Sequence, residues 1–353
     1  MKKTVCLILA LTMLFSLAAC GSTGSSGSGS SGSSPAPASS GGSSGGSTAA
    51  SEVIIGHDYQ EGHPTNTSVV NFGAYLSEQT NGAFTLNNQG NSVLGSDEDM
   101  IEMCAMGSIT MCLPSVASLE TYDPAWGICC LPFLYNDIEH SNAAMDGEVG
   151  EYLKKTLDKQ DFLVLGFASN GIRNMTNDVR PITKVDDLKG IKMRVMNSNT
   201  YIEWMNALGA NATPVGFNEL FTALQQGTVD GQENGADLIY DNAFYEAQKY
   251  LSVTQHIFDC NAVVCNRAWY EGLSSEQRAI VDKGVADLLV AQQRAEMLAE
   301  DENYIQKLSD KGMEVNKLDD AAKETFRAEL TDIYQKSREK LGDEIWNMVE
   351  KYR

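Results

Sequence analysis

The sequence predicts a two-domain α/β protein, built from two successive βα series with mainly parallel strands and crossed by one long helix. Two observations carry this reading. Short apolar runs alternate with stretches of helical spacing from Glu52 onward, the signature of parallel strands covered by helices on both faces. A charged region beginning at Ser274 then keeps helical periodicity through Ile280, Val281, Val285, Leu288, Leu289, Met297, Leu298, Ile305 and Leu308. At 1.5 Å per residue such a helix reaches about 50 Å, enough to lie across two lobes.

In chain order, Val53, Ile54 and Ile55 form a buried-strand run, and residues 67–79 place Val69, Val70, Phe72 and Leu76 at helical spacing. Residues 83–86 return to strand, 97–106 read as a helix with an acidic first turn, and 108–113 as the next strand. Pro114, Pro124 and Pro132 punctuate a loop-rich passage around Trp126, followed by a helix over 139–157 and a strand over 162–167. Ser169-Asn170-Gly171 reads as a turn at the first crossing between domains. A second βα series fills 182–259, a strand follows at 260–265, and Lys311-Gly312 ends the long helix. A coiled-coil arm is the alternative for that helix, but its apolar spacing drifts from strict heptads. Two further helices start near Asp319 and Asp343. The expected lobes are residues 52–170 plus 260–299 and residues 171–259 plus 300–353.

The N-terminus reads as a targeting segment. Lys2 and Lys3 precede an apolar core too short to span a bilayer, and Leu17-Ala18-Ala19-Cys20 follows. That pattern resembles a bacterial lipoprotein signal over residues 1–19, with Cys20 lipidated as the mature N-terminus. Residues 20–51 form a Gly/Ser-rich tether with no bulky apolar side chain after the cysteine, so this segment cannot bury a core. The expected location is therefore extracytoplasmic, held to the cell membrane by lipid.

The 353 residues carry 26 basic and 47 acidic side chains, a net charge of −21. Nothing is basic enough to track a phosphate backbone, which excludes nucleic acid as the expected partner, and any anion site must be enclosed against the protein's own field. Beyond Cys6 and Cys20, the cysteines Cys104, Cys112, Cys129, Cys130, Cys260 and Cys265 lie in apolar or strand-like surroundings and read mainly as buried thiols, with one disulfide left open. No C-x-x-C pair, H-E-x-x-H, G-x-S-x-G or phosphate loop occurs, so no metal, cofactor or catalytic set is expected. His57 and His63 read as ordinary loop residues.

Chemistry concentrates in residues 188–235. Arg194 stands between Met193 and Val195 in a buried-strand pattern, where an unpaired charge is costly. Its partner is either an internal carboxylate or a bound anion, and by residue type the salt bridge is slightly favoured. Arg173 poses the same question beside the domain crossing. Asp230 to Asn234 read as a small polar turn at a strand end, with Asn197 at a corresponding end and Phe217 as an aromatic wall; alone, each of the last three is a cap or a core ring. A hydrolase using Asp58, Asp97 or Glu233, and a sensory binding protein, are the alternative functions.

At these residues the sequence resembles the substrate-binding proteins of tripartite ATP-independent periplasmic (TRAP) transporters, the DctP-like family. The resemblance rests on Leu94-Gly95-Ser96-Asp97, Leu131-Pro132-Phe133, Gly171-Ile172-Arg173-Asn174, the run D-L-K-G-I-K-M-R-V ending at Val195, Ala207-Leu208-Gly209-Ala210, A-L-Q-Q-G ending at Gly227 and V-D-G-Q-E-N ending at Asn234. It implies a two-lobed periplasmic-binding-protein clamshell that closes on an organic acid and hands it to membrane subunits. It also implies that Arg194 pairs bidentately with the ligand carboxylate, assisted by Arg173, Asn234, Asn197 and Phe217, with Asp58 and Asp97 contributed by first-lobe loops. Sialate-binding relatives carry an acidic residue where this chain has Pro114-Ser115, which favours a smaller sugar acid or a dicarboxylate.

Overall fold

The computed structural model describes residues 51–353; the signal segment, Cys20 and the tether up to residue 50 lie outside the described residues. The first half of the fold follows the expected order: β1 (Ser51–Gly56), α1 (Pro64–Gln79), β2 (Phe84–Gln89), α2 (Asp97–Ala105) and β3 (Met111–Cys112). β1 pairs in parallel with β2 and with β3. α2 starts where Ser96 caps it, with a reciprocal bond between Ser96 and Asp99. Two 3₁₀ turns (Val116–Thr121 and Pro124–Cys130) lead to α3 (Ile138–Asp146) and α4 (Glu148–Thr156). The sequence predicts one helix there. It breaks at Gly147, where a side chain would collide with the Ala143 carbonyl and the Tyr352 hydroxyl.

β4 (Phe162–Asn177) leaves this half and enters the second. The expected turn at 169–171 is instead a β-bulge inside that strand, between Ser169 and Ile172, with Gly171 at φ +79°. At that angle a Cβ is strained, so glycine lets the strand shift register and continue. The second half contains β5 (Lys192–Val195), α5 (Asn199–Ala207), β6 (Asn211–Pro214), α6 (Phe217–Gln225), β7 (Gly231–Gly235) and α7 (Ala236–Asp241). β5 pairs in parallel with β6 and β7. Residues 231–234, expected as a polar turn, are therefore strand, every one of them buried. Gln232 reaches Thr176 and Glu233 reaches Arg173 on the crossing strand β4, and Asn234 bonds to Gln232, which explains why a polar run can be interior.

β8 (Tyr250–Asn266) returns to the first half, antiparallel to β4 along nearly its whole length. The result is one nine-stranded sheet, ordered β2-β1-β3-β8-β4-β7-β5-β6, with β9 (Glu314–Lys317) added parallel to β8. Parallel pairing within each half is as expected, whereas the two crossing strands are antiparallel to their neighbours β3 and β7.

After α8 (Arg267–Gly272), the long helix runs as α9 (Ser275–Gly284), a π-helical segment (Val285–Gln292) and α10 (Gln293–Asp310). Its first part buries Val281, Val285 and Leu289 among Val53, Ile55 and Phe72, in the core of the first half. Its last part buries Tyr304, Ile305 and Leu308 with Leu220, Ile239 and Phe244, in the core of the second. Between them Gln293 is fully buried: its amide donates to the Ser169 carbonyl (2.9 Å) and to Thr65 Oγ1 (2.8 Å) and accepts from the Ser169 N–H (2.8 Å). The end of the chain holds three helices rather than two: α11 (Asp320–Glu329), α12 (Thr331–Leu341) and α13 (Asp343–Val349), with α13 packed on α4. Among the described residues no helix is long and apolar enough to cross a membrane.

Candidate ligand-binding site

A cleft lies between the two halves of the sheet, lined by polar and charged side chains from both. Asp58, Asp97, Arg173, Arg194, Asn197, Phe217 and Asn234 all line it, so the structure brings the seven candidate residues to one place. Arg194 arrives on β5, Asn197 just beyond that strand, and Phe217 as the first residue of α6, edge-on to Phe244 at 6.0 Å. Asn234 on β7 donates to Gln232 Oε1 at 3.0 Å. Asp97 is the first residue of α2, and Asp58 lies in the loop after β1.

The two arginines differ. Arg173 on β4 is 1 % exposed with every nitrogen partnered: Nε and Nη2 fork onto Glu233 at 2.6 and 2.9 Å, Nη2 also donates to the Glu233 carbonyl at 2.8 Å, and Nη1 meets Asp259 at 2.8 Å. His256 adds a 3.2 Å contact to Glu233. Burial pushes the Glu233 carboxyl up, but the charge of Arg173 and the bonds from His256 and Arg173 outweigh it and hold the group at about 2. Asp259 is pushed up by its burial, with Glu233 adding to the shift against the pull of Arg173. The internal salt bridge open to either arginine thus belongs to Arg173, where β4 lies between β7 and β8.

Arg194 is 2 % exposed and has no ion pair among the described residues. Its Nε donates to the Val215 carbonyl at 2.8 Å, while Nη1 is buried without a hydrogen-bond partner. Burial lowers its pKa to about 10 even though Glu233, Asp97 and Glu98 pull the other way. An orphaned guanidinium nitrogen in a cavity is a donor waiting for an acceptor.

On the facing side, Asp97 accepts from the Ser115 N–H at 2.9 Å through one oxygen, and its other oxygen, Oδ1, is buried with no donor. Asp58 accepts from Ser92 at 2.7 Å and lies within hydrogen-bonding reach of Asp97. Burial raises both carboxyls, and the charges of Asp58 and Glu98 raise Asp97 further. Glu98 accepts from Ser118 at 3.1 Å.

Several cavity residues carry no sequence signal that singles them out. Tyr59 donates to Asn170 at 2.7 Å and accepts from the Asn261 amide; Ser115 and Ser118 also line the cavity. Asn261 interrupts the otherwise apolar run from Cys260 to Cys265, and that interruption is the only mark it leaves. The loop histidines are also more than loop residues. His57 is buried against Asn88 at 2.8 Å, and burial lowers its pKa to about 4. His63 caps α1 and reaches Asp237 at 2.9 Å. All of Cys104, Cys112, Cys129, Cys130, Cys260 and Cys265 are free thiols. Among the described residues no cluster of ligating side chains could hold a metal.

The family model for bacterial extracellular solute-binding protein, family 7 (DctP), matches residues 55–341, and the chain belongs to this family. It is 31 % identical over 307 residues to the 2,3-diketo-L-gulonate-binding periplasmic protein YiaO of Escherichia coli K12, covering 86 % of this chain and 89 % of that one. It is 29 % identical over 292 residues to the C4-dicarboxylate-binding periplasmic protein DctP of Rhodobacter capsulatus, covering 80 % and 84 %. Among solved structures, the sugar acid binding protein DctPAm of Advenella mimigardefordensis in complex with galactonate superimposes with a TM-score of 0.83 at 30 % identity, over 86 % of this chain and 99 % of that one. The two-lobed architecture is that of the TRAP periplasmic binding proteins.

Proposed function

We propose that this chain is an extracytoplasmic solute-binding protein that captures an organic acid in the cleft between its lobes and delivers it to the membrane subunits of a TRAP transporter. The observation that carries this is Arg194: a buried guanidinium with an unpartnered Nη1, on the wall of a cavity. A ligand carboxylate would complete it bidentately, with Asn197, Asn234 and Phe217 around the same group and Arg173 stiffening the wall through its internal ion pairs. The relatives that bind sugar acids and dicarboxylates support an acid as the ligand. Lipidation at Cys20, with the 20–51 tether, would hold the lobes near the transporter.

The geometry disfavours a hydrolase. A glycosidase pair needs carboxyls about 5–10 Å apart, whereas Asp58 and Asp97 are in mutual hydrogen-bonding reach and Glu233 is held by Arg173. The ligand should therefore leave unchanged, which mass spectrometry of the released molecule checks. Calorimetry with a panel of organic acids tests the anchor. Arg194→Ala should lose about 3–5 kcal/mol of binding, two orders of magnitude or more in Kd; retained wild-type affinity would sink the assignment.

A further inference from the structure

From the charges on the two sides of the cavity we infer that the site selects acids with a single carboxylate and a hydroxylated body over dicarboxylates of the same carbon skeleton, and that Asp58 and Asp97 enforce the choice. The inference rests on the reading of Arg194 as carboxylate anchor. Among the described residues, Arg194 is the one cation lining the cavity without an ion pair, because Arg173 is neutralised by Glu233 and Asp259. Once Arg194 holds a carboxylate, the charged groups that face the rest of the ligand are Asp58, Asp97 and Glu98, all lining the cavity. Asp58 and Asp97 line the same wall, and a carboxyl pair that shares a single proton presents acceptor oxygens together with one negative charge. Asp97 Oδ1, buried and without a donor, is such an acceptor.

Ligand hydroxyls satisfy that side: they donate to the carboxyl oxygens and to the amide oxygens nearby. A second carboxylate in the same place would meet like charges in a water-poor cavity, where repulsion is strong. The Asp58–Asp97 pair therefore acts by rejection as well as by attraction. The arrangement is asymmetric, cation on the β5 side and carboxyls on the β1 and α2 side, so it also fixes which end of the bound acid faces which wall.

The test compares matched pairs that differ by one terminal carboxylate: D-galactonate with galactarate, D-erythronate with meso-tartrate, and D-glucuronate with D-glucarate. Each is titrated calorimetrically into wild-type protein, Asp58→Asn, Asp97→Asn and Arg194→Ala, with thermal melts showing that each variant is folded. In the wild type the monocarboxylate of at least one pair should bind at least about tenfold tighter than its partner. In one or both asparagine variants that ratio should fall by a factor of about ten, through tighter dicarboxylate binding and weaker monocarboxylate binding. A wild type that binds none of the six, or that prefers the dicarboxylates, overturns the proposal, as does a ratio unchanged in both folded asparagine variants. If Arg194→Ala keeps wild-type affinity, the anchor itself is wrong. If it loses affinity for mono- and dicarboxylate alike while the ratio is insensitive to Asp58 and Asp97, the anchor stands and the selectivity claim alone fails.

Discussion

Arg173 and Arg194 share a cavity wall and nearly equal burial, yet removing them should have opposite consequences for the empty protein. Taking away Arg173 leaves Glu233 and Asp259 buried without their cation, so Arg173→Met should cost about 3–5 kcal/mol in denaturant unfolding. Arg194→Met removes a buried charge that has no ion-pair partner among the described residues, so the ligand-free melting temperature should hold or rise. Equal destabilisation by both would mean that Arg194 is structural. Glu233 adds a dependence on pH. Its folded value of about 2 lies below its ordinary 4.5, so its contribution is complete above about 4.5 and is lost as pH falls toward 2. Unfolding midpoints of Glu233→Gln should accordingly vary less with pH than those of the wild type across that window. The sequence marked both arginines as needing a partner but left open which had an internal one. Glu233 and Asp259 are far from Arg173 in the chain, and only the pairing of β4 with β7 and β8 brings them together.

The strands and helices that carry strong periodicity were legible in the sequence; the connections between the halves were not. β1, α1, α2 and the long helix follow directly from apolar spacing. The bulge at Ser169 escaped because Ser-Asn-Gly is also turn chemistry, and local residues cannot tell a turn from a bulge when the strand's continuation depends on a distant partner. Gln293 escaped for a related reason, since a polar residue in a charged helix reads as solvent-exposed. It is instead the side chain that satisfies both backbone groups of Ser169. Gln293→Ala should leave those groups unpaired and cost about 2 kcal/mol or more, visible as a lower melting temperature and faster amide exchange at Ser169. Gln293→Glu, which keeps the acceptor but has no amide donor for the Ser169 carbonyl, should fall between them.

Across the whole molecule the halves also meet through contacts that touch neither arginine. His63 bonds to Asp237, the Gln60 amide donates to the Asp241 carbonyl at 2.6 Å, and buried Glu120 accepts from Ser198 and from Thr200, at 2.8 Å from its hydroxyl. Each joins an element on the β1 side to one on the β5 side, so each holds the two sides of the cleft together. Affinity scales with the fraction of protein able to close. Glu120→Gln, which keeps the size of the side chain but weakens its bonds, should therefore raise Kd several-fold. Small-angle scattering should show a larger radius of gyration without ligand and the wild-type value at saturation. An unchanged Kd would assign Glu120 to folding alone.

The bulge in β4 has a mechanical meaning as well. Strand β4 has 16 residues and spans about 50 Å, and its one left-handed residue, Gly171, lies near mid-length beside the Gln293 clamp on Ser169. A bar pinned near its middle is a lever, and a few degrees of rotation there become ångströms of travel at the lobe tips. The cavity lies close to the fulcrum, where movement is least, while the outer surfaces sweep furthest. A small acid bound near the pivot can thus announce its presence at a distance, through displacement rather than through contact.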